Sequence, residues 1–240
     1  MDTGQLAQRL SAALTLTTPP VALSFVDTAP VDIPTTQEMS PAACAFWRRA
    51  ENTTFYAPAE AHHNCPIGHM VMGFQMPDHI AAELGELVTN MCECDYIDAD
   101  EAAKIPSRTG QHVGIVYGPL AQHPNEPTVV LVWLTAQQAM LCNEANGSAK
   151  WSAETVPRTT GRPACAALPL SVANDTPVMS FGCTGMRTFT EIDDDRMLLA
   201  IPATQLAAFV VAAEASAATN RTMAAFYQDR KATLTANVTA

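Results

Sequence analysis

Cysteine is the residue type in this chain with the clearest capacity for chemistry, and its placement repeats. Pro41-Ala42-Ala43-Cys44-Ala45 is echoed in the second half by Pro163-Ala164-Cys165-Ala166. Roughly twenty residues after each comes a second cysteine with a glycine close behind, Cys65-Pro66-Ile67-Gly68 and Cys183-Thr184-Gly185. Thiolates are soft ligands for iron and zinc, so the recurring pair predicts a four-thiolate site where two related halves meet. Four thiolates are what a [4Fe–4S] cluster requires. Structural zinc more often uses compact Cys-x-x-Cys knuckles, and none is present. Pro66 stiffens the turn just past Cys65, because proline fixes φ; a proline also follows the last cluster cysteine of bacterial ferredoxins. Gly68, Gly182 and Gly185 let backbone approach a bulky inorganic or planar group. The expectation is an iron–sulfur protein with a redox or sulfur-handling role, its cluster held by Cys44, Cys65, Cys165 and Cys183. Its partners would be an electron donor or a small-molecule substrate.

Other side chains crowd these motifs. His62 and His63 precede Cys65 and His69 follows it. Imidazoles there would donate to a cluster sulfur, ligate haem or move protons. Arg162 and Arg187 flank Cys165 and Cys183, where they would neutralise an anionic cofactor or bind an anionic ligand. Two other readings therefore stay open. One is a haem or tetrapyrrole binder using Cys65 or a neighbouring histidine. The other is a thiol enzyme or small-molecule binding module with Cys44 or Cys65 as nucleophile. The plainest alternative makes each cysteine a small buried apolar residue. Cys92-Glu93-Cys94 could bind metal or form a redox pair, but no matching pair or histidine cluster follows at zinc-finger spacing. Cys142, beside Met140 and Leu141, reads as core. Asp193-Asp194-Asp195 reads as a turn. There is no Gly-x-Ser-x-Gly elbow and no His-Glu-x-x-His motif.

The 240 residues suffice for one globular domain, with candidate halves 1–105 and 106–240. Hydrophobic residues make up 48% and charged residues 15%, which excludes a disordered chain. A net charge of −11 with scattered basic residues argues against nucleic acid and anionic membrane surfaces. The N-terminus, Met1-Asp2-Thr3-Gly4-Gln5, lacks the basic and apolar regions of a signal peptide, and no apolar run approaches membrane-spanning length. These features predict a cytoplasmic protein, with a homodimer as a candidate assembly. In that reducing compartment seven cysteines are better metal or redox candidates than disulfide partners.

Positioning elements follow from periodicity. Leu6, Leu10 and Leu14 predict a helix over residues 3–15, ended by Pro19-Pro20. Val21–Val26 predicts a strand. Ser40-Pro41 is a helix start with serine as cap, placing Cys44 in a first turn whose amide dipoles would favour its thiolate. Pro77-Asp78 opens a helix with Ile80, Leu84, Leu87, Val88 and Met91 on its buried face. Residues 112–117 and 128–134 predict strands, the second suited to mid-sheet. Thr135 caps a helix running to about Asn146. Residues 177–181 and 197–201 predict strands, and two helices close the chain from Thr204 to about Leu234. The class is α/β or α+β, a mixed sheet flanked by helices, with the two halves about a pseudo-twofold axis.

At these residues the chain resembles the bacterial and archaeal domain-of-unknown-function family 169. The resemblance runs through Thr18-Pro19-Pro20-Val21-Ala22-Leu23, the segment from Cys44 to Ala50, and Asn64-Cys65-Pro66-Ile67-Gly68. It continues through Thr128 to Met140, Pro163-Ala164-Cys165-Ala166, Gly182 to Arg187, and Leu198 to Pro202. Such families look common in anaerobes and methanogens, which fits an iron–sulfur role. Cys92, Cys94 and Cys142 lie outside the matching segments.

Overall fold

The computed structural model describes residues 2–147 and 159–238. Its centre is one six-stranded sheet of β1 (Val21–Val26), β2 (Phe55–Pro58), β3 (Gly114–Pro119), β4 (Val129–Leu134), β5 (Val178–Ser180) and β6 (Met197–Pro202), in the order β2-β3-β1-β4-β6-β5. Every strand pair is antiparallel, which corrects the expected mixed sheet. Among the described residues, parallel pairing is confined to two isolated bridges, Thr35 with Tyr56 and Thr159 with Met179. Each half contributes three strands in the same arrangement. The first strand is innermost, the second lies at the edge, and the third lies between them. In this arrangement β3 lies with β1 and β2, beyond the candidate boundary at 105.

The helices are α1 (Thr3–Leu14), α2 (Ala45–Arg49), α3 (Pro66–Val71), α4 (Asp78–Glu93), α5 (Ala99–Ala102), α6 (Ala136–Ala145), α7 (Ala167–Ala173), α8 (Thr184–Thr190) and α9 (Ala203–Val238). Side chains alternate across a strand, and β4 shows why its run is apolar throughout. Val130, Val132 and Leu134 pack on α1, α6 and α9, while Val129, Leu131 and Trp133 face the opposite layer. With both faces covered, no position on the strand can be polar. The far layer holds Phe46 and Trp47 of α2, Val71 of α3, Leu168 of α7 and Met186 of α8. Two cores thus sandwich one sheet, and all four motif cysteines belong to the same side.

Local expectations hold for α1, β1, β4, β5 and α6. The last begins with a reciprocal cap in which Thr135 and Gln138 bond each other's backbone amides. Three expectations fail for identifiable reasons. The Ser40 hydroxyl donates to the carbonyl of Ala42 at 2.6 Å instead of capping a helix, so α2 starts only after Cys44. On α4 only Ile80 is buried; Leu84, Leu87, Val88 and Met91 are half-buried, and Leu87 and Met91 face a cavity. The closing segment is a single 36-residue helix, since no glycine or proline interrupts it.

Candidate functional site

Each motif cysteine sits at the entry to a helical segment on the same side of the sheet. Cys44 immediately precedes α2, Cys65 precedes α3 and Cys183 precedes α8. Cys165 lies in the 3-10 turn 164–166 that leads into α7. The connections from β1 to β2 and from β4 to β5 carry Cys44 and Cys165, while the segments leaving the edge strands β2 and β5 carry Cys65 and Cys183. Contacts between halves are crossed. Helix α2 packs on α8, and α3 packs on the 164–166 turn. The close approach within the first half requires Gly68. A Cβ there would lie 2.8 Å from both the Ala43 methyl and the Cys65 Sγ.

All four cysteines line one cavity of about 400 Å³, walled also by Pro41, Asn64, Pro163 and Met186 and by Glu83, Leu87 and Met91 of α4. Burial pushes the Cys44 thiol up to about 12, helped by the neighbouring sulfurs of Cys65 and Cys183. Cys165 is raised well above the usual thiol range by burial and by the other three. Burial raises Cys65 as well, against backbone amides at Ala43 and Gly68 that favour its thiolate. The expected help from helix dipoles at Cys44 is therefore outweighed by desolvation. The amide of Met186 donates to Cys183 Sγ at 3.4 Å. All seven cysteines are free thiols. Among the described residues, no group of three or more His, Cys, Asp and Glu side chains converges tightly enough to hold a single metal ion. Four thiolates about one zinc would stand roughly 3.8 Å apart, from a Zn–S bond of about 2.3 Å. A four-iron cluster spreads its ligands wider than that, and the donors around this apolar cavity are of the soft type such a group takes.

The other expected residues take different places. His62 is fully buried and lies in the core. Its Nδ1–H donates to the Pro58 carbonyl at 3.0 Å, which leaves Nε2 to accept from the Tyr117 hydroxyl at 3.0 Å. Both ring nitrogens are thereby used. Tyr117 itself sits beside the thiols of Cys44, Cys165 and Cys65, which add to the burial that raises its phenol. His63 packs edge-on against His69 and His79, with centroids 5.1 and 5.6 Å away, and does not line the cavity. Arg187 donates to the carbonyls of Phe181, Asp193 and Arg196, clamping the turn around Gly182. Cys142 is core on the opposite side of the sheet, whereas Cys94 is exposed.

A second cavity of about 330 Å³ adjoins the first, sharing Ile67, Met91, Pro163, Cys183 and Gly185 as walls. Its remaining lining includes Asn90, Cys94, Tyr96, Ile97, Ile105 and Arg162. None of Tyr96, Ile97, Ile105 and Tyr117 carries a motif signature. Tyr117 was detectable only as an inward register position of β3, paired with Phe55. The candidate boundary between the halves, at residues 105 and 106, supplies Ile105 to this wall. No described helix is long and apolar enough to cross a membrane.

A model of the DUF169 family, described as uncharacterised ArCR, matches residues 9–212. No curated protein and no solved structure matches the chain.

Proposed function

The chain belongs to the DUF169 family, and we propose that it binds a [4Fe–4S] cluster through Cys44, Cys65, Cys165 and Cys183 in a redox or sulfur-handling role. One observation carries this reading. Four cysteines, two from each half of the chain, line a single cavity, and burial together with the neighbouring sulfurs raises the thiols of Cys44, Cys65 and Cys165. A buried thiol with a raised pKa is a poor nucleophile, which weighs against a thiol enzyme. A cationic cluster core reverses that balance by stabilising the thiolates. The cluster would supply one-electron chemistry. Around it, backbone amides at Ala43, Gly68 and Met186 would donate to the sulfurs, a recognised means of tuning potential. Tyr117, held by His62, would back Cys44, Cys65 and Cys165 from the packed core. The common strand order of the halves and their crossed helix contacts support treating them as two related units about a pseudo-twofold axis. The reducing cytoplasm is the compartment that suits such ligands.

The haem reading has less support, because His62 has no free nitrogen and His63 does not line the cavity. Purification without oxygen followed by iron and sulfide analysis tests the proposal. The expected result is about four of each per chain with a broad visible absorbance. Cys65→Ala and Cys165→Ala should each lower the content sharply, whereas Cys142→Ala and Cys94→Ala should not. A colourless, iron-free protein after anaerobic reconstitution would overturn the cluster. A Soret band lost in Cys65→Ala and kept in Cys165→Ala would favour haem.

A further inference from the structure

The second cavity has walls of Ile67, Met91, Ile97 and Ile105, and among its lining residues Arg162 alone carries a charge. The guanidinium of Arg162 lies over the Tyr96 ring, 4.1 Å from its centroid. Its polar partner among the described residues is Glu101 at 3.8 Å, beyond hydrogen-bond length. Guanidinium has five N–H donors in a planar fork that matches a carboxylate. Stacking on Tyr96 fixes the plane of that fork and leaves its edge for a ligand. Tyr96 is anchored in turn, since its hydroxyl lies 3.4 Å from the Thr184 amide and 3.5 Å from the Thr184 hydroxyl at the start of α8. A neutral apolar molecule would leave the guanidinium with no closer described partner than Glu101 at 3.8 Å. A multiply charged one, such as a nucleotide, would meet hydrophobic walls.

We propose that this cavity binds a small organic monocarboxylate with an apolar body. Its carboxylate pairs with Arg162, and its body rests on Tyr96, Ile97 and Ile105. Cys183, the motif cysteine that lines both cavities, shares this wall with the ligand. Binding itself does not depend on a cluster, whereas a role for the ligand in chemistry at the cysteines rests on the cluster reading above.

Ligand-observed saturation-transfer NMR on the full chain tests this, using benzoate, hexanoate and cyclohexanecarboxylate, each beside its own amide. At least one acid should bind, and about tenfold more tightly than its amide, as expected for a lost charge-assisted pair. Arg162→Gln should weaken that acid about tenfold with an unchanged thermal midpoint. Arg162→Lys, which keeps the charge but not the fork, should fall between. Ile105→Trp should abolish binding by filling the cavity. No binding by any of the three acids, equal binding of acid and amide, or unchanged binding in Arg162→Gln would each overturn the proposal. The same samples separate it from the cluster reading. Acid binding in a chain that never takes up iron removes only the cluster, and iron uptake without acid binding removes only the ligand site.

Discussion

Two buried imidazoles set how this protein responds to acid. Burial lowers His62 to about 3, and the nearby His69 and His63 push in the same direction. His123, whose Nε2–H donates to Ser24 at 2.8 Å while the Ser24 hydroxyl donates to the Glu126 carbonyl, is lowered to about 4 by burial. In the unfolded chain both rings titrate near about 6.5. The stability they contribute is complete above that pH. It is lost progressively as pH falls toward 4, because the unfolded state takes up protons that the folded state refuses. The urea midpoint should therefore fall between pH 7.5 and pH 5.0, and His123→Gln should show a smaller fall; a flat profile in the parent protein would contradict this. The sequence marks His62 and His63 as candidates only by their nearness to Cys65. Nothing in it shows that His62 points inward to Tyr117 while His63 turns toward His69 and His79. Side-chain direction over two adjacent residues is decided by the 3-10 turn Ala59–His62 and by what packs against it.

The elements that carry the cysteines are short, and they hold their places by close contact more than by intrinsic helix stability. Helix α3 has six residues, and Gly68 is where it meets the Ala43-Cys44 turn. The added methyl of Gly68→Ala would have to displace both the Ala43 methyl and the Cys65 sulfur, each 2.8 Å away. Overpacking of this kind costs about 1–3 kcal/mol. The variant should unfold at lower urea and, on the proposed reading, incorporate less iron, whereas Gly85→Ala on the open face of α4 should do neither. Longer elements were legible in advance because periodicity and caps determine them. β4, α6 and β6 follow directly from their apolar runs and from the Thr135 cap. Helix α2 was misjudged at its start because Ser40 spends its hydroxyl on a carbonyl, a choice invisible in residue type. The apolar stripe of α4 is visible in sequence, but its burial is not, because a stripe beside a cavity and one facing a packed core look identical there.

At the scale of the whole molecule, α9 divides in two. Leu206, Phe209, Val210, Ala213 and Ala217 pack against α1, α6 and the sheet, and Ser216 and Asn220 bond to Glu144 of α6. Beyond this, Met223, Phe226, Tyr227 and Leu234 are exposed on a helix with no described contact to the body, and the family match has already ended at 212. Deleting residues 223–240 should leave the thermal midpoint within about 1 °C, since no described core contact is lost, less than the ~2–4 °C expected per kcal/mol in a chain of this size. A larger drop would mean that the segment contributes contacts, such as those of a homodimer. The repeated Cys-containing motifs, the alternating strands and the helical periods were determined by sequence alone, because composition, spacing and local backbone preference are properties of neighbouring residues. Tertiary structure alone decided that the strands form one antiparallel sheet and that the two halves cross-pack α2 on α8 and α3 on the 164–166 turn. It also decided that four distant thiols share one cavity bordering a second one with Arg162. Those are relations between residues as many as 139 positions apart, from Cys44 to Cys183, and only packing of the complete chain establishes them.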